Sequence, residues 1–355
     1  MSDLDFVVSS QNGPYEVAFQ SRVLDSMDGL SQAIVVLDQR VGDLYRDRFA
    51  VDLRDARTVF VTASEETKSL ERLPAFVEQL VALDVRKSDR LIAIGGGVTQ
   101  DIVAFLATVM FRGMSWSFIP TTLLAQADSC IGSKSSINAA GTKNLVGSFR
   151  APTAVTIDVD FLQTLSDDDV HSGIGEMLKV HAIAGPAEFD AISDEYDDLL
   201  SNATAMRSAV HRSLLIKRNL IEIDEFDRGP RNVMNYGHSF GHAIEIATDY
   251  EVPHGIAVTI GMDMANFVAS ELGVSSVYQF HRMHSVLRRN SATFSDVDIH
   301  LDHLMAALRR DKKNTATHLR LILPDADGHI GIVEVAPDAR LEDAVDSYLS
   351  MGRLP

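Results

Sequence analysis

The fold is decided by the stretch Leu91-Ile92-Ala93-Ile94-Gly95-Gly96-Gly97-Val98-Thr99-Gln100-Asp101, in which an apolar run meets three glycines. The run predicts a buried strand, and the pattern from Gln100 to Met110 predicts a helix. Glycines at such a turn let a phosphate approach the backbone, and the helix N-terminus offers unpaired N–H groups. The usual dinucleotide fingerprint is absent because the spacing is GGGxxxD, so a plain strand–helix turn is an equal alternative.

Short β-rich runs and helical patterns alternate around this turn. The runs lie at 33–37, 58–62, 115–119 and 154–157, and an amphipathic pattern occupies 68–82. Such alternation predicts βαβ units and a mostly parallel sheet. From about Ser166 helical patterns dominate, at 167–183, 187–200, 203–223, 238–248, 256–272, 276–290 and 299–310, before a late strand at 319–323. The sequence therefore predicts an α/β fold, with a Rossmann-like parallel-sheet domain at 1–165 followed by a mainly α-helical domain at 166–355.

The composition is that of an acidic globular protein. The 355 residues are 46% hydrophobic, enough for a sizeable core, and their formal net charge is −18. That charge argues against nucleic acid or an anionic membrane as the main partner. No stretch approaches the roughly 18 apolar residues of a membrane span. The acidic N-terminus does not resemble a secretory signal, and the one cysteine fits a reducing compartment. We expect a cytoplasmic protein.

Polar side chains follow several of the predicted strands. Asp38 ends the first strand, where a carboxylate can bind a ribose hydroxyl, although a solvated turn aspartate is an equal alternative. Thr121 and Thr122 end another strand, and threonines in turns usually cap helices. Because all of them and the glycine triplet fall at carboxyl ends of strands, where open α/β sheets bind ligands, together they predict a dinucleotide site.

Histidines and an acidic residue suggest a metal site. His238 and His242 are four residues apart and share a helix face, and His254 and Glu176 lie elsewhere in the same half. One carboxylate and two imidazoles, with positions left for substrate oxygens, suit a catalytic Zn²⁺. The spacing does not say which two histidines bind, and structural histidines are the alternative.

Several basic residues are candidates for binding an anion, because a cluster of cations in so acidic a chain would indicate an anion site. They are Arg112, Lys134, Lys143, Lys179, Lys217, Arg231, Lys312 and Lys313. Most such residues are merely solvated. Lys134, however, stands in the loop-like run Gly132-Ser133-Lys134-Ser135-Ser136, where an ammonium beside backbone donors can anchor a phosphate.

In their order, these motifs resemble 3-dehydroquinate synthase and its sugar phosphate cyclase relatives. The resemblance extends from about 33 to 330. It rests on Gly95–Asp101, Arg112-Gly113, Pro120–Ser129, Lys134, Ile137-Asn138, Lys143-Asn144, Gly147, Gly175-Glu176, Lys179, Asp224-Glu225, Arg231, Asn235, Gly237-His238, Gly241-His242, His254-Gly255 and Asp311-Lys312-Lys313.

The resemblance implies roles for individual residues. Zn²⁺ or Co²⁺ would be bound by Glu176, His238 and His254. NAD⁺ would be lined by Asp38, Glu65, Lys68, Gly95, Gly96, Gly97, Asp101, Thr121, Thr122 and Thr164. The substrate phosphate would meet Lys134, Lys143, Asn144, Asn235 and His242, with Arg112 reaching it across a homodimer interface. The catalytic and substrate-contacting set would be Lys134, Lys179, Asp128, His242, Asn235, Arg231 and Lys217, with one of Lys312 and Lys313.

The implied chemistry is transient oxidation of a ring hydroxyl, elimination of phosphate, return of the hydride and aldol closure of a carbocycle. Retained cations at Lys217, Arg231 and Lys312 or Lys313 favour a carboxylate-bearing substrate, 3-deoxy-arabino-heptulosonate 7-phosphate. Departures from the usual synthase pattern point to a divergent branch. They are Gln100, Ala104, Ser133 and Ser136 in place of glycines, Ile256 in place of a glutamate, Ser135 in place of a threonine and Ser166 in place of a proline.

Three other functions compete with this one. The serines around Lys134 leave open a cyclase for sedoheptulose 7-phosphate or glucose 6-phosphate. A metal-dependent polyol or glycerol-phosphate dehydrogenase would share the two-domain architecture, but it would not need so many phosphate contacts. A retired, non-catalytic paralogue would be expected to lose metal ligands first, and Glu176, His238 and His254 are all present.

Overall fold

The structure, a computed structural model, describes residues 2–26, 33–49, 57–310, 314 and 317–352. Two units are distinguished by their internal contacts. The first comprises 1–165 and 217–227, and the second comprises 166–216 and 228–355. Lys312 and Lys313 lie outside the described residues.

A seven-stranded sheet organises the first unit. Its strands are β1 (Phe6–Val8), β2 (Tyr15–Phe19), β3 (Ala33–Asp38), β4 (Thr58–Val61), β5 (Arg90–Gly95), β6 (Ser115–Pro120) and β9 (Ala154–Ile157), and β7 (Lys134–Ala139) pairs with β8 (Thr142–Phe149) in a separate hairpin. The order across the sheet is β1-β2-β9-β6-β5-β3-β4. Neighbours pair in parallel except β1 with β2. The predicted α/β class is confirmed.

The central strands are buried because their sequences are almost wholly apolar, as parallel strands covered on both faces require. Val35 and Leu37 of β3 and Ile92 and Ile94 of β5 join one core cluster with Phe161. The register pairs Ile94 with Ile119 and Gly95 with Pro120. The carboxyl ends of β3, β5 and β6 therefore lie side by side, as a ligand-binding edge needs.

Helices α1 (Gln39–Leu44), α2 (Leu73–Ala82) and α3 (Gly97–Val109) follow the strands. The predicted helix at 68–82 begins five residues late, because the backbone before it pairs with the hairpin. Leu70 donates to the Asn138 carbonyl, and Asn138 donates to the Lys68 carbonyl. The hairpin corrects one sequence prediction. The sequence predicts a loop around Lys134, and the structure has strand β7 there.

The second unit is mainly helical. It contains α4 (Asp167–Ala184), α5 (Pro186–Asp194), α6 (Tyr196–Ser201), α7 (Ala203–Ile223, whose last residues belong to the first unit), α8 (His238–Ala247), α9 (His254–Glu271), α10 (Val277–Asn290), α11 (Leu301–Arg309) and α12 (Ala339–Ser347), with a hairpin of β10 (Leu319–Pro324) and β11 (Ile330–Val335). Helix α9 is mostly apolar, with buried Thr259, Asp263 and Asn266 along one face, and it is almost entirely buried, as a central helix must be. The single predicted helix at 187–200 is two helices that meet at Glu195.

Segment 217–227 lies past the predicted boundary at 165 but groups with the first unit. Side chains explain this. Lys217 forms an ion pair with Asp128 at 2.5 Å, and Phe226 packs edge-on against Phe149. Glu225 accepts hydrogen bonds from the Ser10 hydroxyl and the Gln11 backbone, each 2.8 Å long. These contacts between distant positions in the chain cannot be read from local patterns.

No helix among the described residues is both long enough and apolar enough to cross a membrane.

Candidate metal centre and nucleotide-binding edge

Three imidazoles and one buried carboxylate converge in the second unit. Ligand atoms of His238, His242 and His254 lie within 4.8 Å of one another. Oε1 of Glu176 lies 3.7 Å from Nε2 of His238 and 3.5 Å from Nε2 of His254. Tetrahedral zinc ligands at about 2.0–2.1 Å from the ion are separated by roughly 3.4 Å. The carboxylate and these two imidazoles therefore have the spacing that one ion requires.

Hydrogen bonds at the far side of each ring orient the two imidazoles. Nδ1 of His254 lies 3.2 Å from Oε2 of Glu245, and Nδ1 of His238 lies 3.2 Å from the Tyr236 carbonyl oxygen. Partners of this kind fix the tautomer and the ring orientation of metal-binding histidines. Both rings consequently present Nε2 to Glu176. Glu245 lies in α8 and His254 begins α9, so this contact joins two helices and no local pattern of the sequence indicates it.

Burial and local charge set the protonation of the cluster. Burial, and then the ammonium of Lys179, hold the pKa of His238 well below its usual range. At His254 burial opposes the charged form, but the hydrogen bond to Glu245 and the charges of Glu176 and Glu245 outweigh it and raise the pKa. Neutral imidazole is the metal-binding form. His238 is therefore ready to bind a metal at neutral pH, and the carboxylates around His254 favour a cation there.

Close packing of helix backbones places these residues. A Cβ added to Gly255 would lie 1.9 Å from the Ser172 carbonyl oxygen, and one added to Gly175 would lie 2.3 Å from the Gly255 carbonyl oxygen. Helices α4 and α9 can approach this closely only because both positions are glycine. Glu176 and His254 are the chain neighbours of these glycines. Backbone contact therefore fixes the distance between the carboxylate and the imidazole.

The remaining residues predicted for the second unit lie in or near the same segments. Lys179 is buried and forms an ion pair with Glu176 one turn away. The His242 ring stacks 5.7 Å from the His254 ring, centroid to centroid. Arg231 is buried in the short turn Pro230–Asn235 that precedes α8. Asn235 ends that turn and donates 3.0 Å to the Asn232 carbonyl oxygen.

In the first unit, Asp38, the glycine triplet and Thr122 meet at the carboxyl edge of the sheet. A Cβ on Gly95 would lie 2.5 Å from Oγ1 of Thr99 and 3.2 Å from Cβ of Asp38, and one on Gly96 would lie 3.0 Å from Thr122. Thr121 joins them by donating 2.9 Å to the Gly95 carbonyl. Gly96 is also the N-cap of α3. The bare backbone and the helix N-terminus suit a pyrophosphate, so these residues fit a dinucleotide.

Asp38 and Thr122 also satisfy their structural alternatives. Asp38 caps α1 by accepting 2.8 Å from the Arg40 backbone, and burial raises the pKa of its carboxyl group despite that bond. Thr122 accepts 3.3 Å from the Ala125 backbone. Capping fixes the orientation of each side chain at the edge, so it is compatible with ligand binding.

The other residues predicted for the nucleotide form a polar cluster against the hairpin. Lys68 is buried, and its Nζ lies 3.3 Å from Asp101, 3.4 Å from Glu65 and 3.0 Å from Oδ1 of Asn144. Ser136 adds a backbone donor to Asp101 at 3.0 Å. Burial raises the pKa of Asp101 although Lys68 opposes that shift. Asn144, predicted for the phosphate, is therefore brought together with residues predicted for NAD⁺.

Two further residues predicted for the ligands, Lys143 and Thr164, have different surroundings. Lys143 is exposed. Although burial opposes the charged form of Glu65, a hydrogen bond from Asn138 and the charges of Lys68 and Lys143 lower its pKa. Thr164 shares a hydrogen bond of 2.9 Å with the Tyr45 hydroxyl and donates 3.1 Å to the Phe161 carbonyl.

Carboxylates hold the predicted substrate lysines of the first unit. Lys217 is buried and contacts both the carboxylate of Asp128 and its carbonyl oxygen, the latter at 2.6 Å. Lys134 is half exposed and pairs with Asp227, a residue that sequence reasoning missed. A cavity of about 410 Å³ beside the hairpin is lined by Lys134, Asp101 and Phe149, among others. Arg112 is exposed on a turn where its φ is +61°.

Comparison with known proteins bears directly on this arrangement. The model of the 3-dehydroquinate synthase N-terminal domain matches residues 58–172, and that of the C-terminal domain matches 173–314. A 3-dehydroquinate synthase from Alkaliphilus metalliredigens is 33% identical over 314 residues, which cover 87% of this chain and 88% of the relative.

The chain belongs to the 3-dehydroquinate synthase family.

Solved structures extend the likeness to the family's wider set of sugar phosphate cyclases. A 2-epi-5-epi-valiolone synthase from Streptomyces hygroscopicus subsp. jinggangensis, solved with NAD⁺ and Zn²⁺ bound, superposes with a TM-score of 0.83 at 26% identity, covering 95% of this chain and 96% of that one. A 2-deoxy-scyllo-inosose synthase shares the fold at TM-score 0.83 and 21% identity, covering 96% and 99%. The predicted kinship with 3-dehydroquinate synthase-like cyclases is confirmed.

Several residues that differ from the usual synthase pattern, at 100, 135 and 136, form defined hydrogen bonds in the first unit. Gln100 is buried and bonded to Ser129, and Ser136 is bonded to Asp101 and Asn144. Ser135 and Ser148 share a hydrogen bond of 2.8 Å. The side chains of Gln100, Ser135 and Ser136 are thus integrated into the first unit's polar network.

Proposed function

We propose that the protein is an NAD⁺- and divalent-metal-dependent sugar phosphate cyclase, a carbon–oxygen lyase that releases phosphate, acting on 3-deoxy-arabino-heptulosonate 7-phosphate. The convergence of Glu176, His238 and His254 carries the proposal. The relatives named 3-dehydroquinate synthase support the substrate. The valiolone synthase solved with NAD⁺ and Zn²⁺ supports the cofactors.

Each unit would hold one cofactor. Glu176, His238 and His254 would bind the metal, and the first-unit edge around Gly95–Gly97, Asp38, Thr121 and Thr122 would bind NAD⁺. Together such cofactors supply reversible oxidation of a ring hydroxyl and polarisation of neighbouring substrate oxygens. The polar cluster of Glu65, Lys68 and Asp101 would stabilise the nucleotide side, and Thr164 would also contact the nucleotide.

The lysines would position the anionic substrate. Lys134 is half exposed, so its ammonium can exchange Asp227 for a phosphate. Lys217 is buried against Asp128, and that pair would present donor and acceptor groups of fixed geometry to substrate hydroxyls. Asn235, His242 and Arg231 would complete the substrate contacts, with Lys143 and Asn144 on the phosphate side. Such positioning lowers the barrier by orienting reactants before reaction.

Lys179 would tune the metal centre. Its buried ammonium pairs with Glu176 and, after burial of the ring, is the next cause of the low pKa of His238. It would therefore limit the negative charge of the site and keep His238 neutral. In the same position it could donate a hydrogen bond to a substrate oxygen, which Glu176 alone cannot do.

A second substrate class is favoured by the serines of the hairpin. Ser133 and Ser136, which stand where the usual synthase pattern has glycines, add hydroxyls near Lys134, and such groups suit a neutral sugar phosphate. A cyclase for sedoheptulose 7-phosphate or glucose 6-phosphate is therefore the alternative.

Phosphate release across a panel of C6 and C7 sugar phosphates tests the proposal. Pure protein would be loaded with Zn²⁺ or Co²⁺ and NAD⁺, and the products analysed by mass spectrometry. We expect release with 3-deoxy-arabino-heptulosonate 7-phosphate and a cyclic product lighter than the substrate by one phosphoric acid. Release only with substrates that lack a carboxylate would replace the first substrate by the second class.

We further propose a cytoplasmic homodimer in which Arg112 reaches the partner's phosphate site. Its exposure on a tight turn supports this role. Sedimentation should give twice the monomer mass of 38.9 kDa. Mixing Arg112→Ala with a second inactive variant, Glu176→Gln, should restore part of the activity, because one mixed site would then hold both native residues. A monomer, or mixed dimers without activity, would contradict the shared site.

A further inference from the structure

Both polar atoms of the Gln100 side-chain amide form hydrogen bonds with the same residue, Ser129. Nε2 donates 2.6 Å to the Ser129 carbonyl oxygen, and Oε1 accepts 2.6 Å from the Ser129 hydroxyl. A carbonyl oxygen only accepts, so the amide group has one orientation in this pair. Gln100 is 6% exposed. Losing it would leave two polar groups of Ser129 without these bonds, which is costly in a buried setting.

Ser129 belongs to an unusual piece of backbone. Residues Ala125–Ser129 form a π-helical turn, closed by a 2.9 Å bond from the Cys130 N–H to the Ala125 carbonyl. Single π turns are uncommon, and they concentrate at functional sites. The turn ends beside the glycine triplet, because a Cβ on Gly97 would lie 4.0 Å from Oγ of Ser129.

The neighbouring residue in the turn is held in a parallel way. Lys217 contacts the carboxylate of Asp128 at 2.5 Å and its carbonyl oxygen at 2.6 Å. Lys217 therefore contacts both the side chain and the carbonyl oxygen of Asp128. Gln100 does the same for the next residue, Ser129. Gln100 reaches from the first turn of α3, and Lys217 reaches from α7. Gln100, beside the glycine triplet, and Lys217, the proposed substrate lysine, therefore hold the π turn from two elements.

We propose that Gln100 is a positioning residue, which holds the Ser129 side of this turn and so sets the Asp128–Lys217 pair for the sugar phosphate. The role rests on the function proposed above. Gln100 stands where the resembled synthase pattern has glycine, and a glycine has no side chain to reach Ser129. This chain therefore carries a link between its dinucleotide loop and its substrate pair that a glycine at this position cannot make.

The substitution Gln100→Leu tests this role in the full-length, metal- and NAD⁺-loaded enzyme. Leucine keeps similar volume but removes both hydrogen bonds. We expect the KM for the sugar phosphate to rise by about tenfold, with the Kd for NAD⁺ changed less than about threefold because the glycine backbone is intact. Ser129→Ala removes only the hydroxyl bond and should raise the KM less, and the double variant should behave like Gln100→Leu. A matched control is Gln79→Leu, which removes an exposed glutamine from α2.

Cys130 supplies a readout that needs no substrate. It is the only cysteine in the chain, follows Ser129 directly and is buried. Burial raises the pKa of its thiol to about 12, so reaction with a disulfide reagent should be slow in the wild type. A loosened turn in Gln100→Leu should speed that reaction by about tenfold, and Gln79→Leu should not.

The two readouts separate this proposal from the proposed function. A faster thiol reaction together with a raised KM supports the positioning role. An unchanged thiol rate overturns it, and so does an unchanged KM. If the wild type releases no phosphate from any sugar phosphate, the proposed function fails. The thiol rate of Gln100→Leu then decides alone whether Gln100 holds the turn.

Discussion

The candidate metal centre of the second unit and the candidate nucleotide edge with its hairpin in the first unit are built differently. Glu176 and His254 stand beside glycines whose backbone contacts fix the spacing of α4 and α9. Lys68, Lys134 and Lys217 are held instead by carboxylates and amides of neighbouring side chains. A ligand can replace a side-chain partner but cannot repack two helices. The comparison indicates a rigid metal site and a first unit whose polar groups can exchange partners on binding.

Removing the metal carboxylate is expected to give the largest effect. Glu176→Gln keeps the shape of the residue but removes the anionic ligand, so phosphate release should fall by at least about a thousandfold. Bound zinc, measured after dialysis, should fall with it. The matched control is Glu334→Gln, an exposed residue of β11. Full activity of Glu176→Gln with normal zinc content would remove Glu176 from the metal centre.

The rigid spacing of the helices can be broken directly. Gly255→Ala would place a methyl group 1.9 Å from the Ser172 carbonyl oxygen, so we expect destabilisation of about 3 kcal/mol and weaker zinc binding. Thermal unfolding and metal titration measure the two effects. Gly331→Ala is the control, because no atom lies within 4 Å of its added Cβ. Equal behaviour of the two variants would argue that packing does not set the site.

The packed interior of α4 should also be sensitive to acid. Burial, followed by the charge of Arg212, lowers the pKa of His181 to about 4. The unfolded chain therefore takes up a proton near pH 6.5 that the folded chain refuses, and stability falls as the pH falls from 6.5 to 4, by at most about 3 kcal/mol. The melting temperature of His181→Gln should fall less steeply over that range. Parallel pH profiles for both proteins would contradict this assignment.

The exchangeable contacts of the first unit predict a smaller, separable effect. Lys68→Met removes the cation shared by Asp101, Glu65 and Asn144, and should weaken NAD⁺ binding by about tenfold while zinc content stays normal. Calorimetric titration with NAD⁺ measures it, with the exposed Lys87→Met as control. Loss of zinc in Lys68→Met would show that the two regions do not act separately as described.

The sequence predicted those features that depend on residues close together in the chain. The glycine triplet after an apolar strand predicted the edge at Asp38 and Thr121, and the buried runs of β3 and β5 predicted the parallel sheet. His238 and His242 share a helix face by spacing alone. The choice of His238 and His254 with Glu176 came from family resemblance, because spacing does not bring α4, α8 and α9 together.

What the sequence missed depends on contacts between distant positions. The start of the β7–β8 hairpin, around Lys134, was predicted as a loop, because its serines and the glycine before them are weak strand formers. Asp227 pairs with Lys134 across 93 positions of the chain. Glu245 reaches His254 from the preceding helix. Such pairings are set by tertiary packing, and no local pattern specifies them.

One measurement tests the cyclase assignment most directly. Phosphate release and absorbance at about 340 nm would be followed together in single turnovers of the enzyme with NAD⁺ and the sugar phosphate. A cyclase should release one phosphate per site, with NADH appearing transiently and returning to zero. NADH that accumulates without phosphate release would rule out the cyclase and indicate a dehydrogenase.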